Sequence, residues 1–519
     1  MNKEKGIGIL SKKYWKVICP DEFIPAFQTG VSLGSYSEDK PNYIGIKQSE
    51  FLKQYDPAGH KVNSVAHYPN IIKKDEDTGL YYEEKISRVA FSFQQIILTK
   101  QLNALCGNRT KFRLSNAIQT AKDEEVFSLW KEGWAAKDMD ILLYKAYKSI
   151  GKTGDGAIYI YLNKEGKIDH RIFSFDKGDL LFPHYSNNGK LELFARRYTG
   201  VNEYGHEESR IDVFTDKEVF NLVEDNSDEG YNSSIKFLNG KYTVDGYRLA
   251  TDTPIKHGLP FVPIAYYRDE DGAWWSKSQK TIEEFEWAFS CLTHSNMAFA
   301  FPIMYIKGSD VEIEGDMIRN TVKGIFLPNK DSEAGFLNRP DGSSSFELQL
   351  TKLYDLIFQQ SFSVNPPEVR SGDLPGVAIK LLYSPSIEKA SEMSRNLNTF
   401  LDQVVDMFTY MYGMETNKLS EFKKLNVYAF QEPYVHQNDS ELMKNLETGT
   451  NSGFISRKTA TEASPYSNNN EIQRLKEEVD EEDRNDLLGD FKFTIDGDNE
   501  RKLLDNDKSK AKGENIKES

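Results

Sequence analysis

The stretch that most constrains this chain is residues 363–413, SVNPPEVRSGDLPGVAIKLLYSPSIEKASEMSRNLNTFLDQVVDMFTYMYG. Its first part carries Pro366, Pro367 and Pro375 with Gly372 and Gly376. These residues interrupt regular structure and admit alternative turns, so this part reads as a loop. Further on, apolar residues recur at Ile387, Ala390, Met393, Leu397, Leu401, Val404, Phe408 and Met411. A spacing of three or four puts them on one face of a helix. Pro385 removes a backbone donor and crowds the carbonyl of Leu381. The pattern predicts one helix from about residue 376 to 413, kinked near Ser384 and stopped at Gly413. At about 1.5 Å per residue it would be roughly 55 Å long. A helix of that length, entered from a Pro/Gly loop, is more than a small core needs.

The 519 residues suffice for several core-forming modules, and 39% of them are hydrophobic. The formal net charge is −15. That argues against a conventional nucleic-acid binder, which carries a basic face. It is compatible with a protein that surrounds DNA without holding it, because every phosphate contact adds grip. Cys19, Cys106 and Cys291 are scattered and odd in number. They suggest neither a disulfide framework nor a zinc site, and they fit a reducing compartment. MNKEKGIGILSKKYW has no signal-peptide apolar stretch. No apolar run approaches the roughly 18 residues of a membrane span, so no membrane partner is expected.

Taken in order, residues 1–80 offer only short helix candidates such as 49–55. Helical periodicity then predicts a helix over 83–105 and a second over 123–150. From Gly156 the texture changes to short runs rich in β-branched and aromatic residues: 157–162, 171–175, 191–198, 210–215, 218–224, 242–249 and 261–267. They predict a largely antiparallel β region with a hairpin tip at 225–234. Thr281 with Glu284 resembles a capping box opening a third helix, which Pro302 limits. Strands are expected at 304–308 and 324–328, a short helix at 311–319, a loop at 338–345 and a fourth helix over 346–360. Beyond the long helix, 426–430 is strand-like and 439–447 helical. Ser456 can cap a short helix through Ala463 that Pro465 ends, and a further helix is expected from Glu471. From Asn485 on, too little apolar surface remains to offset ordering entropy.

Few motifs carry chemistry. SIGKTGDG (149–156) contains Gly-Lys-Thr, but a phosphate-binding loop needs glycine five positions before the second Gly, where this chain has Ala146. It reads as a glycine turn into a strand. The histidines form no close-spaced ligand pair, and no nucleophile signature stands out. Asp269/Asp271 and Glu283/Glu284 are the carboxylate pairs that could hold Mg²⁺ in a nucleic-acid enzyme. With 80 acidic residues such pairs arise by chance, and 269–272 reads better as a turn. Trp274-Trp275 reads as packing or a subunit contact. No cofactor, metal or catalytic residue is expected.

The order of parts says more than any motif: a β-rich body, a helix, a compact insert, a returning helix, a loop, a long helix and a small helical module. This order resembles the portal (head-to-tail connector) proteins of tailed bacteriophages. SGDLPGVAIKLLYSPSIEKASEM (371–393) is similar to that family's passage from tunnel loop to long helix. GFISRKTATEASPY…EIQRLKEE (453–478) is similar to its crown pattern, and FVPIAYYRDED (261–271) to the entry of its stem. The resemblance covers roughly residues 85–485.

The resemblance implies an α+β, portal-type, ring-forming fold. An N-terminal region and α/β wing would occupy 1–278, a first stem helix 279–301, a clip 302–343 and a second stem helix 344–362. A tunnel loop would follow at 363–376, the long wing helix and a following segment at 377–435, a crown at 436–484 and an acidic tail at 485–519. It further implies a homo-oligomer, in this family usually a dodecamer, assembled in the host cytoplasm at one capsid vertex of the virion. Double-stranded DNA would pass through during packaging, retention and ejection. Terminase large subunit, head-completion or adaptor proteins, and major capsid and scaffolding proteins are the implied partners. By analogy Ser363, Asn365, Arg370, Ser371, Asp373 and Lys380 would line the channel, with Glu368 and Asp373 countering the two cations. The competing readings are a metal-dependent nucleic-acid enzyme and another multimeric neck or baseplate component.

Overall fold

The computed structural model describes residues 43–75, 78–114, 121–201, 204–224, 236–238, 241–244, 247–250, 254–298, 303–307, 312–314, 324–326, 333–337, 343–364, 376–434, 439–464, 466–467, 474–475 and 478. The chain divides into two compact units, Met1–Ser371 with Leu382–Val435, and Gly372–Leu381 with His436–Ser519.

Among the described residues the first unit starts with helix α1 (Tyr43–Tyr55) and a hairpin of β1 (Ile71–Lys74) and β2 (Tyr81–Glu84). Helix α2 follows at Phe93–Cys106, about ten residues later than the periodicity predicts. The reason is tertiary. Residues 85–91 are held out of the helix by distant partners: the Arg88 side chain donates to the Tyr68 carbonyl at 2.9 Å, Val89 N–H to Ser290 Oγ at 2.9 Å and Phe91 N–H to Glu286 Oε1 at 2.8 Å. The helix expected over 123–150 is two helices, α3 (Ala121–Ala136) and α4 (Met139–Thr153), separated at Asp138, whose φ is +52°. Strand β3 (Lys111–Leu114) lies between α2 and α3.

Helix α4 ends at Gly154 in the left-handed region, and β4 (Asp155–Leu162) begins at once. Gly154 and Gly272 face each other so closely that a Cβ on Gly154 would sit 3.0 Å from Gly272 Cα. The Gly-Lys-Thr run is thus a helix end and turn. Strand β4 joins β5 (Ile168–Phe173) and β14 (Ile264–Arg268) in a three-stranded sheet. The larger sheet runs β10–β11–β12–β9–β8–β7–β6, with β13 also paired to β9. Its strands are β6 (Leu180–Tyr185), β7 (Leu191–Val201), β8 (Glu207–Phe214), β9 (Glu218–Glu224), β10 (Lys236–Leu238), β11 (Lys241–Val244), β12 (Tyr247–Leu249) and β13 (Ile255–Lys256). All its pairings are antiparallel. Strand β6, with Pro183 inside it, was not expected. It is the last strand of the sheet's order, where a missing backbone donor is tolerated. The run expected over 242–249 is the two strands β11 and β12, and the hairpin tip at 225–234 lies outside the described residues.

Helix α5 (Gln279–Ala298) begins before Thr281, so the capping box does not form. The Thr281 hydroxyl instead donates to Gln360 Oε1 at 2.8 Å. Strand β15 (Ile303–Lys307) pairs with β18 (Glu333–Leu337), and β16 (Glu312–Glu314) with β17 (Gly324–Phe326). The short helix expected at 311–319 is corrected to strand at β16, whose partner across the hairpin decides its conformation. Helix α6 (Ser343–Gln360) returns, and helix α7 (Gly376–Glu415) runs unbroken through Pro385. Gly413 is not its stop. Asn417, at φ +57°, takes the left-handed position, with Lys418 N–H bonded to the Gly413 carbonyl at 2.9 Å. That is a Schellman ending. Gly413 is needed for space, since a Cβ there would lie 2.7 Å from Leu419 Cα in the short helix α8 (Leu419–Phe422). Strand β19 (Val427–Phe430) then pairs with β3.

The main core joins α2, α3, α4, β4 and β5 to one face of α7, from Met393 through Phe400, Val404 and Phe408 to Met411. Trp130 and Trp134 stack at 5.4 Å between their centroids, and Phe112 and Phe408 meet both of them edge-on. Each indole N–H is bonded, Trp130 to Thr409 Oγ1 and Trp134 to Asp140 Oδ1. A second core, under the large sheet, gathers Phe173, Phe194, Phe214 and Tyr266.

The second unit contains α9 (Asp439–Asn451) and α10 (Arg457–Ala463). Ser456 caps α10 by accepting from Thr459 N–H at 3.1 Å, as its sequence predicts. Residues 465 and 468–473, and most of 474–519, lie outside the described residues.

A Cβ on Gly133 of α3 would run into the Tyr412 ring. That ring cannot withdraw, being stacked between Phe408 at 5.3 Å and Phe422 at 5.4 Å. Gly133→Ala should therefore destabilise the first unit by about 1–3 kcal/mol through overpacking. Thermal unfolding reads it as a lowered midpoint; an unchanged midpoint would contradict the packing described.

Candidate functional site

The candidate site is the junction of α5, α6 and the segment leading to α7. The start of α5 lies against the end of α6: Ile282 and Phe285 share a buried cluster with Ile357 and Phe358, closed by Phe93, Ile97 and Leu98 of α2. Ser278 Oγ donates to the Ile357 carbonyl at 3.1 Å, and the Thr281–Gln360 bond adds a second tie. Farther along, Met297 of α5 and Leu348 of α6 are 64% and 61% exposed, so each helix leaves large apolar side chains uncovered within one chain.

Helix α5 is braced by the chain's early residues. Tyr68 stacks on Trp287 at 4.1 Å, and Lys61 pairs with Glu283 at 3.0 Å. His60 is buried, with Nδ1 2.7 Å from Glu286 Oε1 and Nε2 2.7 Å from the Gln54 carbonyl. Both ring nitrogens face acceptors, so the doubly protonated imidazolium satisfies the site. Burial lowers the His60 pKa, but the Glu286 hydrogen bond and charge, together with the Gln54 carbonyl, outweigh it and the net shift is upward.

Helix α6 ends in an unusual turn. Phe362 adopts φ +53°; its N–H bonds to the Gln359 carbonyl at 3.1 Å, and Ser363 N–H bonds to the Phe358 carbonyl at 2.9 Å. Three side chains grip the exiting backbone. Gln101 Nε2 donates to the Ser361 carbonyl at 2.7 Å, Ser386 Oγ to the Phe362 carbonyl at 2.9 Å and Lys100 Nζ to the Val364 carbonyl at 2.8 Å.

Of the residues proposed from sequence, Ser363 sits in this turn, buried, with its hydroxyl directed to the Ser361 carbonyl at 3.4 Å. Lys380 lies within α7, its side chain outside the description. Asn365, Glu368, Arg370, Ser371 and Asp373 fall outside the described residues. Sequence reasoning missed Lys100, Gln101 and Ser386. The one visible signal was Gln101, a polar residue among Ile97, Leu98, Leu102 and Leu105 on the buried face of α2.

Beside the turn lies a small cleft whose lining includes Asp269, Asp271, Lys277 and Lys389. Its charges are engaged: Lys277 pairs with Asp271 at 2.7 Å, Lys389 with Glu392 at 3.0 Å, and Asp269 accepts from Asp271 N–H. Among the described residues no group of three or more His, Cys, Asp or Glu is placed to hold a metal ion. Of Trp274-Trp275, Trp275 is fully buried with its indole N–H on Gln54, and Trp274 packs over Gly151. Among the described residues no helix is long and apolar enough to cross a membrane.

The comparison with protein families gives the class, a phage portal protein of the virion. Residues 39–485 match the family described as phage portal protein, SPP1 Gp6-like, and the chain belongs to it. The portal protein of Bacillus phage SPP1 is 21% identical over 391 residues, covering 72% of this chain and 74% of that protein. Two solved structures are also similar. One is titled the neck of an empty gene transfer agent particle, at 11% identity and a TM-score of 0.37, covering 88% of this chain and 98% of that one. The other is titled the virion of a native gene transfer agent particle, at 11% identity and a TM-score of 0.35, covering 82% and 94%.

His60 also gives a pH signature. A folded pKa above the unfolded 6.5 means that the contribution is complete below pH 6.5 and is lost as pH rises through the folded value. The difference in thermal midpoint between wild type and His60→Gln should therefore shrink as pH is raised above about 6.5. A difference that grows with pH would contradict the charged pair.

Proposed function

We propose that this chain is the repeating subunit of a ring at one capsid vertex, through which double-stranded DNA is packaged, held and later ejected. The observation that carries the proposal is the family match across 39–485, which spans α5, the segment between the helices, α6, the Pro/Gly segment and α7. In this reading residues 1–278 are the N-terminal region and wing, α5 and α6 the two stem helices, 302–343 the clip and 363–376 the tunnel loop. Helix α7 is the long wing helix and 436–484 the crown. The uncovered Met297 and Leu348 support contact between neighbouring subunits, because large apolar groups gain most from such burial.

The portal does no chemistry of its own in this proposal. Terminase large subunit docks on the ring during packaging, and head-completion or adaptor proteins replace it; capsid and scaffolding proteins meet the ring as the head assembles in the host cytoplasm. The net charge of −15 suits a conduit for a polyanion, which must pass without being gripped. Asn365, Arg370, Ser371 and Asp373, with Lys380 at the start of α7, are proposed to face the channel. Ser363 is assigned to the root of the loop rather than to the DNA, since it is buried and its hydroxyl points to the Ser361 carbonyl.

Negative-stain microscopy of the purified protein should show annular particles with a central hole; a monodisperse monomer across several salt conditions would count against the ring. The double variant Arg370→Ala/Lys380→Ala should still assemble but package or retain DNA abnormally. Loss of the ring in that variant would place both residues in subunit contacts instead.

A further inference from the structure

The last carbonyls of any helix lack partners within it and must find them elsewhere. At the end of α6 the usual solution is a residue in the left-handed region, and that residue is usually glycine. Here it is Phe362, at φ +53°. For a residue with a Cβ this conformation is sterically disfavoured. It persists only where the surroundings over-determine it. The ring of Phe362 does not supply the constraint, being 41% exposed. The backbone does. The carbonyls of Ser361, Phe362 and Val364 each receive a side-chain donor from another helix, Gln101, Ser386 and Lys100 respectively, and the Ser361 carbonyl also faces the Ser363 hydroxyl at 3.4 Å.

We propose that Lys100, Gln101 and Ser386 are positioning residues: a three-point latch on the carbonyls of residues 361, 362 and 364 that fixes where and in which direction the Pro/Gly segment leaves α6. Two of the donors come from α2 and one from α7, so the exit is tied to two helices whose apolar faces lie in buried cores. Gln101 is buried, and Val364 is buried as well, so water competes poorly for these carbonyls. Burial lowers the Lys100 pKa, in keeping with an ammonium withdrawn from solvent onto a carbonyl. The role in DNA passage rests on reading residues 363–376 as the channel loop; the latch itself does not.

The test is hydrogen exchange on the full-length purified protein, comparing wild type with Lys100→Met, Gln101→Leu, Ser386→Ala and Ser386→Thr. Lys100→Met and Gln101→Leu should each speed exchange of the Phe362 and Ser363 amides about tenfold, the loss of one charged or buried hydrogen bond, and Ser386→Ala about threefold, the loss of a neutral and more exposed one. Amides of α5 and the body of α2 should be unchanged, and Ser386→Thr, which keeps the hydroxyl, should behave as wild type. Unchanged exchange at 362–363 overturns the latch. So does acceleration spread evenly over α2, α5 and α6, which would mean general loosening. Ser386 is only half-buried, so its pair of variants gives an answer even if the α2 variants fold poorly. In a DNA-packaging assay the latch variants should package several-fold less. A loosened turn with full packaging overturns the positioning role and leaves the ring intact as a proposal. A wild-type protein that never forms rings overturns the portal function while the exchange result still decides the latch.

Discussion

Burial of one face of α7 is the interaction on which the rest of the first unit depends. Between Met393 and Met411 it presents a row of large apolar side chains to α2, α3, α4 and the strands β4 and β5. Each such side chain contributes roughly 1.5–3 kcal/mol when fully buried. The two stacked tryptophans of α3 close over Phe408, and their indole hydrogens are spent on Thr409 and Asp140, so the pair is fixed in orientation as well as buried. Other features follow from this seat. Ser394 of α7 donates to the Gln431 carbonyl at 2.7 Å, holding the segment just after β19. Ser386, about two turns before Met393, can reach the end of α6 because α7 is already in place.

That interaction is also why so much of the fold was legible. A row of apolar residues at helical spacing has one physical reading when it is long, and α7 and α6 lie close to where periodicity put them. The strands β4, β7, β8 and β9 were visible from their β-branched and aromatic content, and Ser456 announced α10 by its cap. The misses share a cause: the deciding partner was far away in the chain. Residues 85–91 have helical spacing but are captured by Ser290 and Glu286. Asp138 takes a left-handed conformation with no glycine to signal it. Residues 312–314 follow a hairpin partner, not their own propensity. Gly413 looked like a stop because glycine often is one; its actual role is to let Leu419 approach.

The candidate site was legible in outline only. The prolines and glycines marked where a loop must interrupt the chain, and the ordered series of parts led to the portal family, to which residues 39–485 belong. The details were not readable. Lys100, Gln101 and Ser386 converge on one turn from positions 260 or more residues before it and about 24 after it, and no local pattern encodes that convergence. Phe362 was equally hidden, since nothing in its side chain favours its backbone conformation. The overall acidity bears directly on the proposed role, because a channel that bound phosphates strongly would stop the polymer it is meant to pass.

The central claim is that residues 363–376 stand around a common axis in an assembly of many copies. A symmetric electron cryo-microscopy reconstruction of the assembled protein tests it most directly. The account predicts a closed ring whose central opening admits a duplex, with that segment from every subunit at the inner wall and its exit from α6 as described. A ring with the segment on its outer surface, or no ring at all, would contradict it.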